Sequence, residues 1–263
     1  MRPIFKTPGK SAVDAVASFV GSYSIGLLIT NKVYKDGGYT HKEAVVVATG
    51  FSTVSATFMI IVANTLGIIE YWNLYFWFTL AVTFIVTAIT VQIPPIRIEK
   101  TSTYQDQPYK EEIRRDMPLL KESWLEAKIA VKNSKTLIEN ITENLRDGVV
   151  MTIAILPSIM SIGFLGLIIA EYTPIIEYIS YIFYPIISIF PVSDVAVLAQ
   201  ASTISIVEML LPAAIAQSAD LATRFIVAVM SVSAIIFFSS VVPVILSTEV
   251  KISVGKLVII WFE

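Results

Sequence analysis

The chain has 263 residues, of which 55% are hydrophobic and 15% charged, with a net charge of −2. That balance offers no basic field for nucleic acid, and the absence of cysteine excludes disulfide frames, iron–sulfur centres and thiol nucleophiles. One histidine, His41, leaves no HExxH zinc site and no histidine-rich metal cluster.

Charge is unevenly placed. Twenty of the 40 charged residues fall in the 51 residues 97–147. Elsewhere there are uncharged runs of 17 residues (15–31), 26 (44–69), 26 (71–96), 23 (148–170) and 24 (225–248). A transmembrane helix needs about 20 mainly apolar residues. The pattern predicts an all-α, polytopic membrane protein. The chain stops inside an apolar run near Leu257 and Phe262, which is expected of a fragment cut within a last helix.

In chain order, the first apolar segment covers 11–31 and is interrupted by Gly21 and Gly26. The second covers 44–69. The third, 71–96, opens on an aromatic cluster, Tyr71, Trp72, Tyr75, Phe76 and Trp77, of the kind that sits at a membrane–water interface. It closes at Pro94 and Pro95, which cannot continue a helix. With only scattered threonines, this third segment reads as lipid-facing. Apolar segments follow at 148–170, 174–190, 195–216 and 225–248, and an eighth begins near 252.

The charged stretch contains a helical stripe: Leu120, Trp124, Ala127, Val131, Ser134, Ile138, Ile141 and Leu145 recur in steps of three and four. It reads as an amphipathic helix on the membrane surface or against the bundle, with a partner coiled coil as the alternative. Ten Lys and Arg residues place 97–147 on the cytoplasmic side. Both ends of the first segment are basic (Arg2, Lys6 and Lys10 before it; Lys32 and Lys35 after it). A hairpin that enters and returns on one side satisfies both ends; a plain glycine-containing transmembrane helix is the other reading. Non-helical backbone at membrane depth is tolerated only where protein or a wet cavity surrounds it.

A weak internal repeat relates the two halves. At an offset of 180, Asp14 falls on Asp194 and Gly21-Ser22 on Ala201-Ser202. At an offset of 178, Val54-Ser55-Ala56 falls on Val232-Ser233-Ala234. Repeats built on broken hydrophobic segments point to a transporter binding site. Glu208 is the sharpest residue, because ionisable groups inside membrane segments tend to mark substrate or ion pathways; capping a short helix end is its alternative role. Asp14 and Asp194 follow helix-opening sequences and are placed to act as N-caps. Hydroxyls and amides cluster in the repeat segments: Ser22 and Ser24; Ser52, Thr53 and Ser55; Gln200, Ser202, Thr203 and Ser205; Ser231, Ser233, Ser239 and Ser240. They serve either solute binding or close helix packing.

Three stretches carry a family resemblance: Phe5-Lys-Thr-Pro-Gly-Lys-Ser-Ala-Val-Asp-Ala, Val20-Gly-Ser-Tyr-Ser-Ile-Gly and Ala48-Thr-Gly-Phe-Ser-Thr-Val-Ser. They resemble the YjiH-like branch of the nucleoside-recognition (Gate) membrane proteins. Ala201-Ser-Thr-Ile-Ser-Ile-Val-Glu-Met-Leu-Leu-Pro-Ala resembles a second Gate unit. The resemblance implies a helical membrane fold with two Gate-like repeats and re-entrant or broken helices. The contiguous Gln-Thr-Glu tip of nucleoside transporters is absent; Gln200 and Glu208 stand eight residues apart.

These readings give three regions: a first repeat at 1–96, a cytoplasmic segment at 97–147, and a second repeat with further helices at 148–263. The expected function is transport of a small polar solute, with nucleosides as one candidate, across the inner membrane. Glu208, Gln200, Ser202, Thr203, Ser205, Ser22, Ser24, Ser55 and Ser233 are the expected solute contacts. No enzymatic chemistry and no cofactor is expected beyond a coupling Na⁺ or H⁺. The expected partners are lipid, the solute, and a second copy or membrane subunit. The alternative function is a structural or regulatory membrane subunit.

Overall fold

The computed structural model describes residues 1–51, 55–110, 119–132 and 136–263, and among these the chain is all-helical. The one β-type contact is an isolated bridge between Thr40 and Thr103. Ser52, Thr53, Val54 and Ser134 lie outside the described residues.

After a short turn α1 (Arg2–Phe5), the first apolar segment is a helical hairpin of α2 (Ser11–Val20) and α3 (Tyr23–Lys35). Ser22 makes the turn possible: it sits in extended backbone and its Oγ accepts from the amide of Ile25, so α3 starts afresh there. The legs meet closely because Gly26 faces Ser18, where a Cβ would lie 1.9 Å from the Ser18 hydroxyl. Asp14 does not cap α2. Lys10 occupies that position without a side-chain bond. Asp14 instead spans the hairpin, accepting from Thr30 at 3.0 Å and from Tyr39 at 2.5 Å.

A polar connector leads to α4 (His41–Val46), opened by a capping box between Thr40 and Glu43. A π-helical turn (Val47–Phe51) follows, and α5 (Ala56–Thr65) begins at Ser55, whose hydroxyl accepts from the Phe58 amide. The second apolar segment is therefore built in two parts. The third forms α6 (Trp72–Thr90). Its threonines correct the lipid-facing reading of that segment. Thr79, Thr83, Thr87 and Thr90 are buried, while Leu74, Trp77, Phe78, Ile85 and Ile89 are exposed. Each of Thr83 and Thr87 bonds the carbonyl four residues back, so the hydroxyl is satisfied inside its own helix.

Residues 96–110 fold back over the first hairpin's connector. The amides of His41 and Lys42 bond the carbonyls of Ser102 and Lys100, and the Lys110 amide bonds Gly37. Glu99, almost fully buried, pairs with Lys256 and lies 3.4 Å from His41. The predicted amphipathic stripe is divided between two helices, α7 (Leu119–Lys132) and α8 (Leu137–Tyr172). A second capping box, Thr136 with Glu139, opens α8. At 36 residues α8 is about 54 Å long and carries the charged end and the apolar segment 148–170 as one helix.

The segment 174–190 forms only short turns, α9 (Ile175–Ser180) and α10 (Tyr184–Ile187). Then a second hairpin appears: α11 (Val195–Ile204) packs on α12 (Leu211–Ile215). The final apolar run is also broken, into α13 (Leu221–Ser233) and α14 (Val241–Leu246), before α15 (Val254–Phe262). By length and composition two stretches are apolar enough to cross a membrane: His41–Thr65, which runs over residues 52–54, outside the described ones, with mean hydropathy 2.1, and Ile69–Thr90, with 1.6.

The two hairpins share some polar contacts. Asp194 stands at the N-terminus of α11 with no capping bond of its own, so it does not act as the expected cap. It accepts from the amide of Asp220 in the following connector at 3.3 Å. Asp14 takes the Tyr39 hydroxyl in the same relation. Asp220 caps α13 as Thr40 caps α4. The tips do not follow the sequence offset. The first turns at Gly21 and Ser22, whereas Ala201 and Ser202 lie within α11 and the second turn falls at residues 205–210.

Candidate functional site

Proline sets the two breaks of the second unit. Pro212 lacks the N–H that would bond the Glu208 carbonyl, so α12 cannot extend backwards and residues 205–210 stay unwound. Pro243 likewise leaves the Ser239 carbonyl without its helical donor, next to the non-helical residues 234–240.

These two unwound stretches pair with each other. The Phe238 amide donates to the Ile206 carbonyl at 2.7 Å, and the Ser239 amide to Val207 at 2.9 Å. The first hairpin tip reaches the same place. Tyr23, the first residue of α3, hydrogen-bonds Ser240 through its hydroxyl and packs edge-on against Phe237 at 6.0 Å. Both tips thus converge on residues 234–240. The final broken run, from which Ser233 alone was expected among the solute contacts, supplies the segment on which both tips meet.

Glu208 lies in the second tip, half-buried. Its Oε2 accepts from the amides of Leu210 at 2.6 Å and Leu211 at 3.1 Å. The carboxylate is therefore fixed in orientation by the first donors of α12, and the capping role is real. Ser205 donates to the Ser202 carbonyl at 2.7 Å and accepts from the indole of Trp261 at 3.2 Å. The structure brings together Glu208, Ser205, Tyr23 and Ser240, with Ser22 and Ser24 on the adjoining tip.

The other expected contacts have different settings. Ser202 bonds the Leu198 carbonyl and touches the Met230 sulfur at 3.2 Å, and Thr203 bonds the Ala199 carbonyl. Both are packing hydroxyls of α11, buried or half-buried against neighbouring helices. Gln200 is half-buried on the same helix. Ser55 is occupied in starting α5. Ser233 ends α13 and lies 3.2 Å from Thr83 of α6. Sequence reasoning counted Ser239 and Ser240 among the hydroxyls of the last apolar run but missed Tyr23 and the threonine face of α6; the i, i+4, i+8 spacing of Thr79, Thr83 and Thr87 was its available signal.

A cleft of ≈ 430 Å³ opens along residues 233–236, between α6 and α13 with α15 across one end, and neither Glu208, Ser205 nor Tyr23 is among its lining residues. Its wall is mostly apolar, with Thr49, Thr87, Thr90, Ser233 and the carboxylate Glu263 as polar points. It runs past residues 233–236 to Trp261, the residue that donates to Ser205. An apolar cleft with few convergent polar groups is the usual form of a small-molecule site. Among the described residues, no cluster of three His, Asp or Glu side chains could hold a metal ion.

Along its full length the chain is 34% identical over 269 residues to an uncharacterized protein of Alkalihalophilus pseudofirmus. It spans 58% of that relative's length. No family model matches the chain, and no solved structure matches it.

Proposed function

We propose that this chain is the solute-handling part of a polytopic inner-membrane transporter for a small polar solute, with nucleosides as the first candidates. The observation that carries the reading is the meeting of two hairpin tips on one unwound segment, beside an apolar cleft. Freed backbone groups and a fixed carboxylate suit a polar solute that must be bound without a permanent charge partner. The exposed apolar face of α6 and the exposed Ile153, Met160 and Phe164 of α8 support a lipid surround, since contiguous apolar surface of that extent is rare on water-facing monomers. In this reading Glu208 and Ser205 hold the solute, Tyr23 and Ser240 close the first tip over it, and residues 97–147 face the cytoplasm.

The test uses Glu208→Gln, which keeps a carbonyl oxygen to accept from Leu210 and Leu211 but loses the charge. Thermal unfolding in detergent is read with nucleosides, bases, amino acids and Na⁺. A ligand at about 100 times its dissociation constant stabilises by about 2.7 kcal/mol. The expected result is a hit in the wild type that Glu208→Gln loses while folding normally. Solute uptake into vesicles that survives Glu208→Gln refutes the assignment.

A second reading, a non-transporting membrane subunit, is favoured by one feature: Trp124 is 67% exposed on α7, and Val131, Ile138, Ile141 and Leu145 are exposed along the same stripe. Trp124→Glu then dissociates a co-purifying partner without changing any ligand-induced stabilisation. A complex that survives Trp124→Glu removes this reading.

A further inference from the structure

Asp14 is 1% exposed, near the base of the first hairpin, and no described ion pair includes it. Its oxygens contact two side-chain hydroxyls, Thr30 Oγ1 at 3.0 Å from Oδ1 and the fully buried Tyr39 Oη at 2.5 Å from Oδ2, and its own backbone amide. A buried carboxylate held by neutral hydroxyls keeps an uncompensated charge in a poorly solvated place.

The geometry at Thr30 provides for either state of that carboxyl. Thr30 Oγ1 is also 3.0 Å from the Gly26 carbonyl. A threonine hydroxyl has one hydrogen and two lone pairs, so it cannot donate to both oxygens fully. With Asp14 ionised, Thr30 donates to Oδ1 and Tyr39 to Oδ2. With Asp14 neutral, a proton from water sits on Oδ1 and is donated to Thr30 Oγ1, whose own hydrogen turns to the Gly26 carbonyl. Every donor has an acceptor in both states, and neither state requires the hairpin legs to part.

We infer that Asp14 is a proton-binding site, taking up one proton from water and returning it, with Thr30 as the hydroxyl that switches direction. Few other charged groups face it. Lys10 lies over the Tyr39 ring, 5.6 Å from its centroid. On α3, Lys32 and Lys35 are exposed, and Tyr34 packs against His41 and Tyr104. The π-helical turn Val47–Phe51, packed on α2, carries no titratable side chain. The link between this proton and solute movement rests on the transport reading above; the titration does not.

Infrared difference spectra across the acidic to neutral range test it, on the full chain with ¹³C-carboxyl-labelled aspartate. A protonated-carboxyl band that titrates in the wild type should be missing from Asp14→Asn, whose amide imitates the neutral acid and preserves the fold. Thr30→Val removes a donor to the ionised form, and its band should titrate about one pH unit higher. Identical titration in wild type and Asp14→Asn overturns the inference. So does a wild-type midpoint that moves with Na⁺ concentration, which marks a cation site. In vesicles, uptake of radiolabelled uridine driven by a pH gradient should be lost in Asp14→Asn while uridine exchange persists. Gradient-driven uptake that survives Asp14→Asn overturns the link between this proton and solute movement, leaves the transport reading intact, and leaves the proton site to the titration. Titration at Asp14 without movement of any panel solute counts against transport and leaves the proton site standing.

Discussion

The junction of the first broken run with α6 rests on one glycine. A Cβ on Gly50 would lie 2.4 Å from Thr87 Cγ2, 3.2 Å from its Oγ1 and 3.3 Å from its Cβ. Carbon atoms in good contact stand at about 3.5–4.0 Å, so Gly50→Ala requires a displacement of about 1 Å. Thr87 cannot yield it cheaply. Its Oγ1 lies 3.0 Å from the Gly50 carbonyl and 2.8 Å from that of Thr83, and a β-branched side chain in a helix has few rotamers. Overpacking costs about 1–3 kcal/mol and a strained hydrogen bond about 1 kcal/mol, against a helical gain from alanine of about 1 kcal/mol. The net is a loss of about 1–3 kcal/mol, or several degrees of melting temperature at this chain length. Thr87→Ser alone removes the offending methyl and costs about 1 kcal/mol. In the double variant the alanine methyl fills the space that Cγ2 leaves. Thermal unfolding in detergent should then give a coupling energy of about 1–3 kcal/mol, the whole cost of Gly50→Ala, with the double variant near Thr87→Ser alone. Destabilisations that simply add would refute the contact.

Three further outcomes follow from other positions. Ser18 Oγ is buried without a hydrogen-bond partner at the tightest point of the first hairpin. Ser18→Ala should therefore raise the melting temperature, by about 1 kcal/mol of stability, and a lowered one contradicts the geometry. Asp220 accepts from the Thr223 amide at 2.6 Å, and this bond, then those from Ser193 and the Thr223 hydroxyl, hold its carboxyl below the usual range. A depressed folded value means the stabilisation is present above the unfolded value of about 3.9 and is lost as pH falls through the folded one. Asp220→Asn keeps the cap and should flatten that acid-side loss in an unfolding series; an unchanged acid limb shows that Asp220 does not carry it. Truncation separates the two roles of Glu208: Glu208→Ala should melt lower than Glu208→Gln, by the ~1 kcal/mol of a lost cap.

The first hairpin was readable because two independent signals agreed: glycines that interrupt the run and basic residues at both ends; the serine that starts its second leg was not recognised as such. The second tip was readable from Glu208 and Pro212, but its turn was placed a full turn of helix too early, because the offset was anchored on Asp14 and Asp194. Those aspartates mark the bases of the hairpins and say little about where each tip unwinds. The threonine face of α6 stayed hidden for a physical reason. Hydroxyls that bond their own helix are as acceptable to lipid as to protein, so composition alone does not show which way they point. The break after Ser233 has no glycine to announce it; Pro243, ten residues on, was the only cue. The division of the central stripe did have a legible marker, the Thr136 and Glu139 capping box, which apolar periodicity overran.

The two units differ most where their chemistry differs. From Asp14 to Thr40 and from Asp194 to Asp220 the spacing is the same, and α3 and α12 end at equivalent positions, Lys35 and Ile215. In the first unit that interval is filled by thirteen helical residues of α3; in the second, only five remain helical in α12. No residues were added to make the second tip. Pro212 removes one backbone bond, the early part of the second leg unwinds, and the released amides of Leu210 and Leu211 are taken by Glu208. The first unit keeps its leg wound, and its carboxylate lies at the base, among hydroxyls, with no backbone donor from the tip. Two hairpins of similar spacing thus hold two kinds of acid: Glu208, at an opened tip, and Asp14, sealed under a closed one. A proline that opens the first tip, Ser24→Pro, should move the first unit toward the second. Its N–H-free ring at the start of α3 suits a helix N-terminus, so the fold should survive while Tyr23 loses its seat on Ser240. Loss of the ligand-induced stabilisation with unchanged unfolding in the ligand-free state would place the first tip in the solute site. Unchanged stabilisation would leave that site to the second unit alone.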